Sequence, residues 1–397
     1  MGRRNRWNDK NDKGVIMSYV SQNPVRDTIN RVSTAAFSFA YKNVVKPHIF
    51  NQSPDAAHDE MIRFCQVSRR IPPLMWTLRQ MLDYTDPLLE TTVMGVDFAN
   101  PFGLSAGLDK NCDLPVVLDN AGFGFETVGS TTARPCEGNP RPWFHRLPEY
   151  ASMMIHVGLA NDGSEAVVER AAREAGRARA MKLSVSLART NDDLCGDIDE
   201  GIEDYKTSLL RAADRTHMVE INISCPNTRK GEPFTQAGNL DRLFTELDKV
   251  DHSQPLLVKM PQSLPWPRFK ELLDVLVEHK VDGVTIANLR KDRTGLEVPP
   301  EWEGSLSGLP CVGPSNKLIA RTYRDYGDRM AIAGVGGVFT PQQAYDKIKA
   351  GSSLIMFISS LMYRGPQNIT TLKRGLADLL RADGYQSVSQ AVGADIR

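Results

Sequence analysis

Cys225 stands in the run INISCPNTRKG (221–231), where an apolar stretch ends, with Asn222 before it, Pro226 directly behind it and Asn227 beyond. A thiol, with a reference pKa of about 8.5, gives up its proton within reach of neutral pH, and neighbouring cations lower that value further. Cys225 at such a place can act as general base toward a weakly acidic C–H. The plainer alternative is a small buried hydrophobe, the commoner use of cysteine. Asparagine carries a donor and an acceptor on one side chain, so Asn222, Asn227 and Asn288 together match the N–H and C=O edge of a cyclic amide or imide. The implied chemistry is C–H deprotonation coupled to hydride transfer onto a flavin.

Two lysines and a glycine turn extend this constellation. Lys259 closes the apolar run PLLVKM (255–260), where burial is costly unless a negative charge meets the ammonium. A reduced flavin ring supplies one; a lysine at the solvent rim is the alternative. Lys110, behind FGLSA (102–106), invites the same argument toward a phosphate, a carboxylate or the flavin. The glycines of GVGG (334–337), with Ser359 and Ser360, expose backbone N–H groups suited to a phosphate monoester such as that of FMN. Tight turns also use glycine for steric reasons alone.

Such residues need a scaffold that brings distant segments to one face. Eight β-like runs supply it: FGLSA (102–106), FETVG (125–129), KLSVSL (182–187), MVEINI (218–223), PLLVKM (255–260), GVTIAN (283–288), MAIAGV (330–335) and SLIMFI (353–358). Helical stretches lie between or after them, at 164–180, 239–250, 269–279, 341–350 and 371–382. Near-continuous apolar strands separated by helices imply a parallel sheet buried on both faces. The fold expected is α/β, a (β/α)8 TIM barrel with a small N-terminal helical extension. An open doubly wound sheet is the runner-up, disfavoured because no G-x-G-x-x-G opens the first turn. The strand ends then gather SAGLDK, GSTT, NISCPNT, Lys259, Asn288, GVGG and the two serines at one mouth.

The expected organisation is a disordered segment at 1–23, in which Met17 is a second candidate start, a helical segment at 24–88 and the barrel at 89–397. In the helical segment Val25, Ile29, Val32, Ala36, Phe39, Ala40 and Val44 fall at helical spacing beside basic residues. It reads either as helices packed on the barrel or as an interfacial element touching lipid. Lysine plus arginine equals aspartate plus glutamate at 48 each, so no global charge steers the chain to nucleic acid. Neither C-x-x-C nor H-E-x-x-H occurs, which argues against a metal site. No apolar run approaches the roughly 20 residues of a spanning helix.

From about residue 45 to the end the chain resembles the dihydroorotate dehydrogenases, specifically the membrane-associated, quinone-using class 2 form. The resemblance rests on SPDAAH (53–58), NPFGLSAGLDKN (100–111), GFGFETVGSTTARPCEGNPRPWFHRLPE (122–149), INISCPNT (221–228), LVKM (257–260), SLSG (305–308), AGVGGV (333–338) and VGADIR (392–397).

It implies that Ala106, Gly107, Lys110, Ser130, Asn222, Lys259, Gly308, Gly336, Gly337 and Ser359 contact FMN. Asn222, Asn227 and Asn288, with Lys110, would hold dihydroorotate or orotate, and Cys225 would take the proton from C5. His58 and Arg146 would line the quinone tunnel. It further implies a monomer, peripheral on the cytoplasmic side of the cell membrane, with no nucleic-acid partner. The chain departs from the class pattern at four places. Cys225 stands where class 2 has serine, Ile155 and Leu159 replace an asparagine and a phenylalanine of the substrate loop, Thr190 replaces a flavin-contacting asparagine, and Leu289 replaces a threonine. Another cyclic amide substrate, or a barrel that binds without turnover, are the alternatives.

Overall fold

The computed structural model describes residues 24–193 and 196–396, so the segment 1–23 and Met17 lie outside the described residues. Eight parallel strands close into a barrel: β1 (Phe102–Leu104), β2 (Phe125–Thr131), β3 (Lys182–Leu187), β4 (Met218–Asn222), β5 (Leu256–Lys259), β6 (Gly283–Ile286), β7 (Ala331–Val335) and β8 (Leu354–Phe357). Each coincides with one of the runs expected from the sequence, with β2 continuing past Gly129 to Thr131. The TIM barrel is therefore the observed architecture.

The strands are buried on both faces because alternate residues enter two separate cores. On β4, Val219 and Ile221 pack outward under the helices, whereas Met218 joins Phe125, Leu257, Leu354 and Met356 inside the barrel. An antiparallel hairpin, Thr91–Val93 with Val96–Phe98, seals the lower end with Val93, Met94 and Phe98. Its two-residue turn, Met94-Gly95, has positive φ at both positions (52° and 76°), as the twist of a tight hairpin demands. Inward positions become polar toward the other end: Met218, Glu220 and Asn222 on β4, then Leu257 and Lys259 on β5. Thr285 Oγ1 donates to Glu220 Oε2 at 2.7 Å in the middle layer. With the bottom sealed by hydrocarbon, a polar ligand can enter only at the upper end.

Over that end lies a small antiparallel sheet of Phe144–Leu147, Ser152–Ile155 and Ser305–Leu306. Ile155, its last residue on the middle strand, pairs with Phe144 and Ser305 and launches the loop 155–161.

The N-terminal segment forms α1 (Pro24–Ala40), α2 (Lys46–Phe50), α3 (Pro54–Ser68) and α4 (Pro72–Leu82). Ser53 caps α3, accepting from Ala56 N at 3.2 Å with Pro54 in the first turn, and proline likewise opens α4. Asn30 and Ser33 of α1 both donate to Met81 O at 3.0 Å, tying α1 to α4. The opposite faces stay unpartnered: among the described residues, ten of the twelve exposed large hydrophobic side chains lie between Ile29 and Trp76. Among the described residues no helix is long and apolar enough to cross a membrane.

Candidate active site

A cavity of about 760 Å3 connects the barrel mouth with the N-terminal helices. Its barrel end is walled by Ala106, Gly107, Lys110, Ser130, Asn222, Cys225, Asn227, Lys259, Asn288, Gly308, Gly336, Gly337 and Ser359. At the other end stand His58 and Arg146 with Tyr41, Met61, Phe64 and Leu78. Every candidate site residue named from the sequence thus faces one continuous space.

The carboxamides are pre-positioned by their neighbours. Asn222 Nδ2 donates to Ser130 Oγ at 2.8 Å, and Ser130 Oγ lies 2.8 Å from Ser186 Oγ. The backbone carbonyl of Asn222 accepts from Tyr205 OH at 2.7 Å. Asn288 Nδ2 donates to Ser224 O at 2.7 Å and to Asn222 Oδ1 at 3.2 Å, which locks these two amides edge to edge. Asn227 Nδ2 donates to Ile155 O at 2.9 Å, and Asn139 Nδ2 fixes the Asn227 backbone by donating to its carbonyl at 2.9 Å. Buried amides held this way keep a fixed orientation before any ligand arrives.

Cys225 is half-buried between Asn222 and Asn227. Desolvation by the surrounding walls pushes its thiol up to about 11, against the opposing pull of the Asn227 N–H and the Lys259 ammonium. This corrects the expectation of a thiol held low by cations: removal from water outweighs them. Lys259 is buried in the cavity wall, not at the solvent rim, with no carboxylate paired to it among the described residues.

Lys110 extends from the loop after β1 toward α3. Its Nζ lies 3.0 Å from His58 Nε2 and about five ångströms above two rings, 5.3 Å from that of Trp143 and 5.5 Å from that of Phe144. Burial pulls this ammonium down to about 8, and burial together with the Lys110 charge pulls His58 down to about 4. His58 Nε2 also lies 3.3 Å from Leu108 O, and its Nδ1 lies 3.4 Å from Asp59 Oδ1. Arg146 donates to Gln52 O at 2.7 Å and Ile49 O at 3.0 Å, and its guanidinium lies 4.8 Å from the Phe50 ring centre. Those contacts pin α2 and the start of α3 to the cavity.

Backbone shape suits a flat ring with a phosphate tail. At Gly337 (φ 69°) a Cβ would fall 2.2 Å from Val312 Cγ2, so only glycine lets this turn close on the helix Val312–Tyr326. At Gly107 (φ 123°) a Cβ would find only Ile358 Cδ1, at 3.9 Å, leaving that backbone open to close approach by a ligand. Ser359 Oγ donates to Ser307 Oγ at 2.9 Å, while the buried Ser360 Oγ on the same wall has no protein partner. A buried hydroxyl without a partner is costly, and a phosphate oxygen would satisfy it.

Thr190 is drawn elsewhere. Its Oγ1 donates to Asp204 Oδ2 at 2.5 Å and its N–H to Asp204 Oδ1 at 3.0 Å, and it does not line the cavity. Cys225, Ile155, Leu159 and Leu289 do line it, so three of the four departures put sulfur or hydrocarbon on the wall. Asn139, Ser186 and Tyr205 were not singled out in the sequence, because each acts through a partner many positions away.

A model of the family described as dihydroorotate dehydrogenase matches residues 88–380. The chain is 33% identical over 360 residues to a dihydroorotate dehydrogenase (quinone) of Haloarcula marismortui, covering 89% of this chain and 99% of that one. It is 34% identical over 359 residues to a protein of the same description from Nocardia farcinica, covering 88% and 95%. The crystal structure of DHODH from Eimeria tenella in complex with ferulenol superimposes with a TM-score of 0.77 at 26% identity, covering 87% of this chain and 96% of that chain. With the barrel, the amide clamp and the linked apolar cavity, these matches establish that the chain belongs to the dihydroorotate dehydrogenase family.

Proposed function

We propose that this protein oxidises (S)-dihydroorotate to orotate in pyrimidine (UMP) biosynthesis, with FMN as its flavin and a membrane quinone as electron acceptor. The observation that carries this reading is the single cavity that joins Cys225 to the N-terminal helices. When bound, FMN would supply the redox chemistry, taking up the electrons that leave substrate C6 as hydride and giving them to the quinone.

The chain's own residues do the rest. Asn222, Asn227 and Asn288 present amide edges to the substrate ring, and Lys110 offers its ammonium to the carboxylate. Cys225 receives the C5 proton at Sγ; because its thiol sits high, the ionised fraction and hence the rate grow with pH. Lys259, buried without a carboxylate partner among the described residues, would balance negative charge on the flavin ring. Ala106, Gly107, Ser130, Gly308, Gly336, Gly337 and Ser359 would hold FMN, the last four around its phosphate end. His58 and Arg146 would face the quinone.

The segment 24–88 is the proposed quinone-access and membrane-docking element. Its outward face carries Val32, Phe39, Val67 and Trp76, all exposed, which is the kind of apolar patch that seeks a bilayer interface. On this reading the protein is a monomer resting on the cytoplasmic side of the cell membrane.

The test is steady-state turnover: orotate formation, followed by its absorbance, should require both dihydroorotate and a quinone. No orotate under those conditions would remove the assignment. One observation favours a second reading, a less polar cyclic amide as substrate: Ile155 and Leu159 put hydrocarbon on the wall beside the amide clamp. A panel of dihydropyrimidines assayed for flavin reduction separates the two.

A further inference from the structure

Lys347 is fully buried on the helix Pro341–Lys349, with 0% of its surface exposed. Its Nζ donates to Asn316 Oδ1 at 2.6 Å and Ser315 Oγ at 2.8 Å, and approaches Val335 O at 3.5 Å. All three acceptors are neutral, and no carboxylate pairs with it among the described residues. A buried ammonium without a counter-charge is destabilising unless something negative comes near. In keeping with that, burial pulls Lys347 down to about 7.

Its position identifies what comes near. Ser315 and Asn316 belong to the first turns of the helix Val312–Tyr326, and Val335 opens the glycine turn that closes against Val312. The lysine stem runs along Gly334, where a Cβ would fall 2.8 Å from Lys347 Cδ. The ammonium therefore sits behind the glycine turn 335–337, which lines the cavity, and is tied through Ser315 and Asn316 to the helix that begins just after Cys311, itself on the same wall. A helix N-terminus already favours an anion there, and a fixed positive charge behind it deepens the same potential.

We propose that Lys347 is a positioning residue for the phosphate group of the flavin nucleotide: it never touches the phosphate, but supplies the buried positive charge that favours the phosphorylated flavin over the free one. This rests on the FMN reading above.

The experiment compares FMN and riboflavin binding to the full-length chain after flavin removal, by quenching of flavin fluorescence. Wild type should bind FMN much more tightly than riboflavin. Lys347→Met should weaken FMN by at least about tenfold and leave riboflavin unchanged, as expected for loss of one charge interaction at low dielectric. Asn316→Asp covers the case in which the methionine variant does not fold, since it adds a counter-charge at 2.6 Å without changing volume. It too should weaken FMN alone. Equal losses for both flavins, or undiminished FMN binding in Asn316→Asp, would overturn the proposal. If wild type binds no FMN, the cofactor reading itself fails; if it binds FMN and riboflavin alike, the cofactor reading stands and Lys347 has no such role.

Discussion

Lys110 Nζ lies 3.0 Å from His58 Nε2, so the loop after β1 and helix α3 meet at the point where the substrate end of the cavity becomes the apolar end. The two rings of Trp143 and Phe144 hold the ammonium from the other side. On the proposed function Lys110 would serve the substrate half of the reaction and His58 the quinone half, with their contact at the divide.

His58→Ala should therefore act mainly on one half. Flavin reduction by dihydroorotate should keep its rate within about twofold, whereas reoxidation by quinone should slow by about tenfold or more, the loss expected when a buried polar partner disappears. Rapid mixing of each half-reaction separately checks this. Equal slowing of both would place His58 on neither side.

The ammonium of Lys110 makes a prediction about substrate affinity. Its pKa, pulled down to about 8 by burial, means the charge is present below that pH and lost above it. KM for dihydroorotate should accordingly rise as pH climbs past about 8, and Lys110→Met should show a high KM with no such rise. A KM that stays flat to pH 10 in wild type would detach Lys110 from the carboxylate.

For Cys225 the sign is opposite, because the acting form is the deprotonated one. With the thiol pushed up to about 11, kcat should increase with pH through the neutral and alkaline range without levelling by pH 9. Cys225→Ala should lose about 10²–10⁴ of kcat, and Cys225→Ser should recover part of it only at higher pH. Equal kcat in wild type and the alanine variant would take Cys225 out of the mechanism.

Ile155 offers a gain-of-function test. Its carbonyl already orients Asn227, and its side chain lies on the cavity wall. Ile155→Asn should lower KM for dihydroorotate by roughly one decade, the worth of one added hydrogen bond to a buried polar ligand. An unchanged KM would show that this wall does not face the substrate.

The exposed apolar face of α1, α3 and α4 predicts lipid binding. A Phe39→Ser, Val67→Ser, Trp76→Ser variant should sediment far less with anionic vesicles than wild type, while turnover with a short-chain, water-soluble quinone stays within about twofold. Equal sedimentation would leave this face without a membrane role.

The barrel was legible because its strands are buried on both faces, so the eight runs are rich in apolar residues even where Glu126, Ser184, Ser186 or Glu220 interrupts them. The hairpin at 91–98 and the sheet over the mouth were not, since their strands have only two to four residues and mix polar with apolar positions. Of the site, Cys225, Lys259 and the asparagines stood out by lying at strand ends. Asn139 and Tyr205 did not, because their partners Asn227 and Asn222 are brought to them only by the closed barrel. Lys347 in PQQAYDKIKA reads as an ordinary surface lysine, and only packing shows it to be buried. The ionisation of Cys225 was misjudged for a related reason: neighbouring charges can be guessed from sequence, but the depth of desolvation cannot.

The most direct measurement is an anaerobic titration of the flavin-loaded protein. Dihydroorotate should bleach the flavin absorbance stoichiometrically, and a quinone added afterwards should restore it at a rate fast enough for turnover. A flavin that stays yellow with dihydroorotate, or that is bleached but not recoloured by quinone, would contradict a cavity built to pass electrons from one to the other.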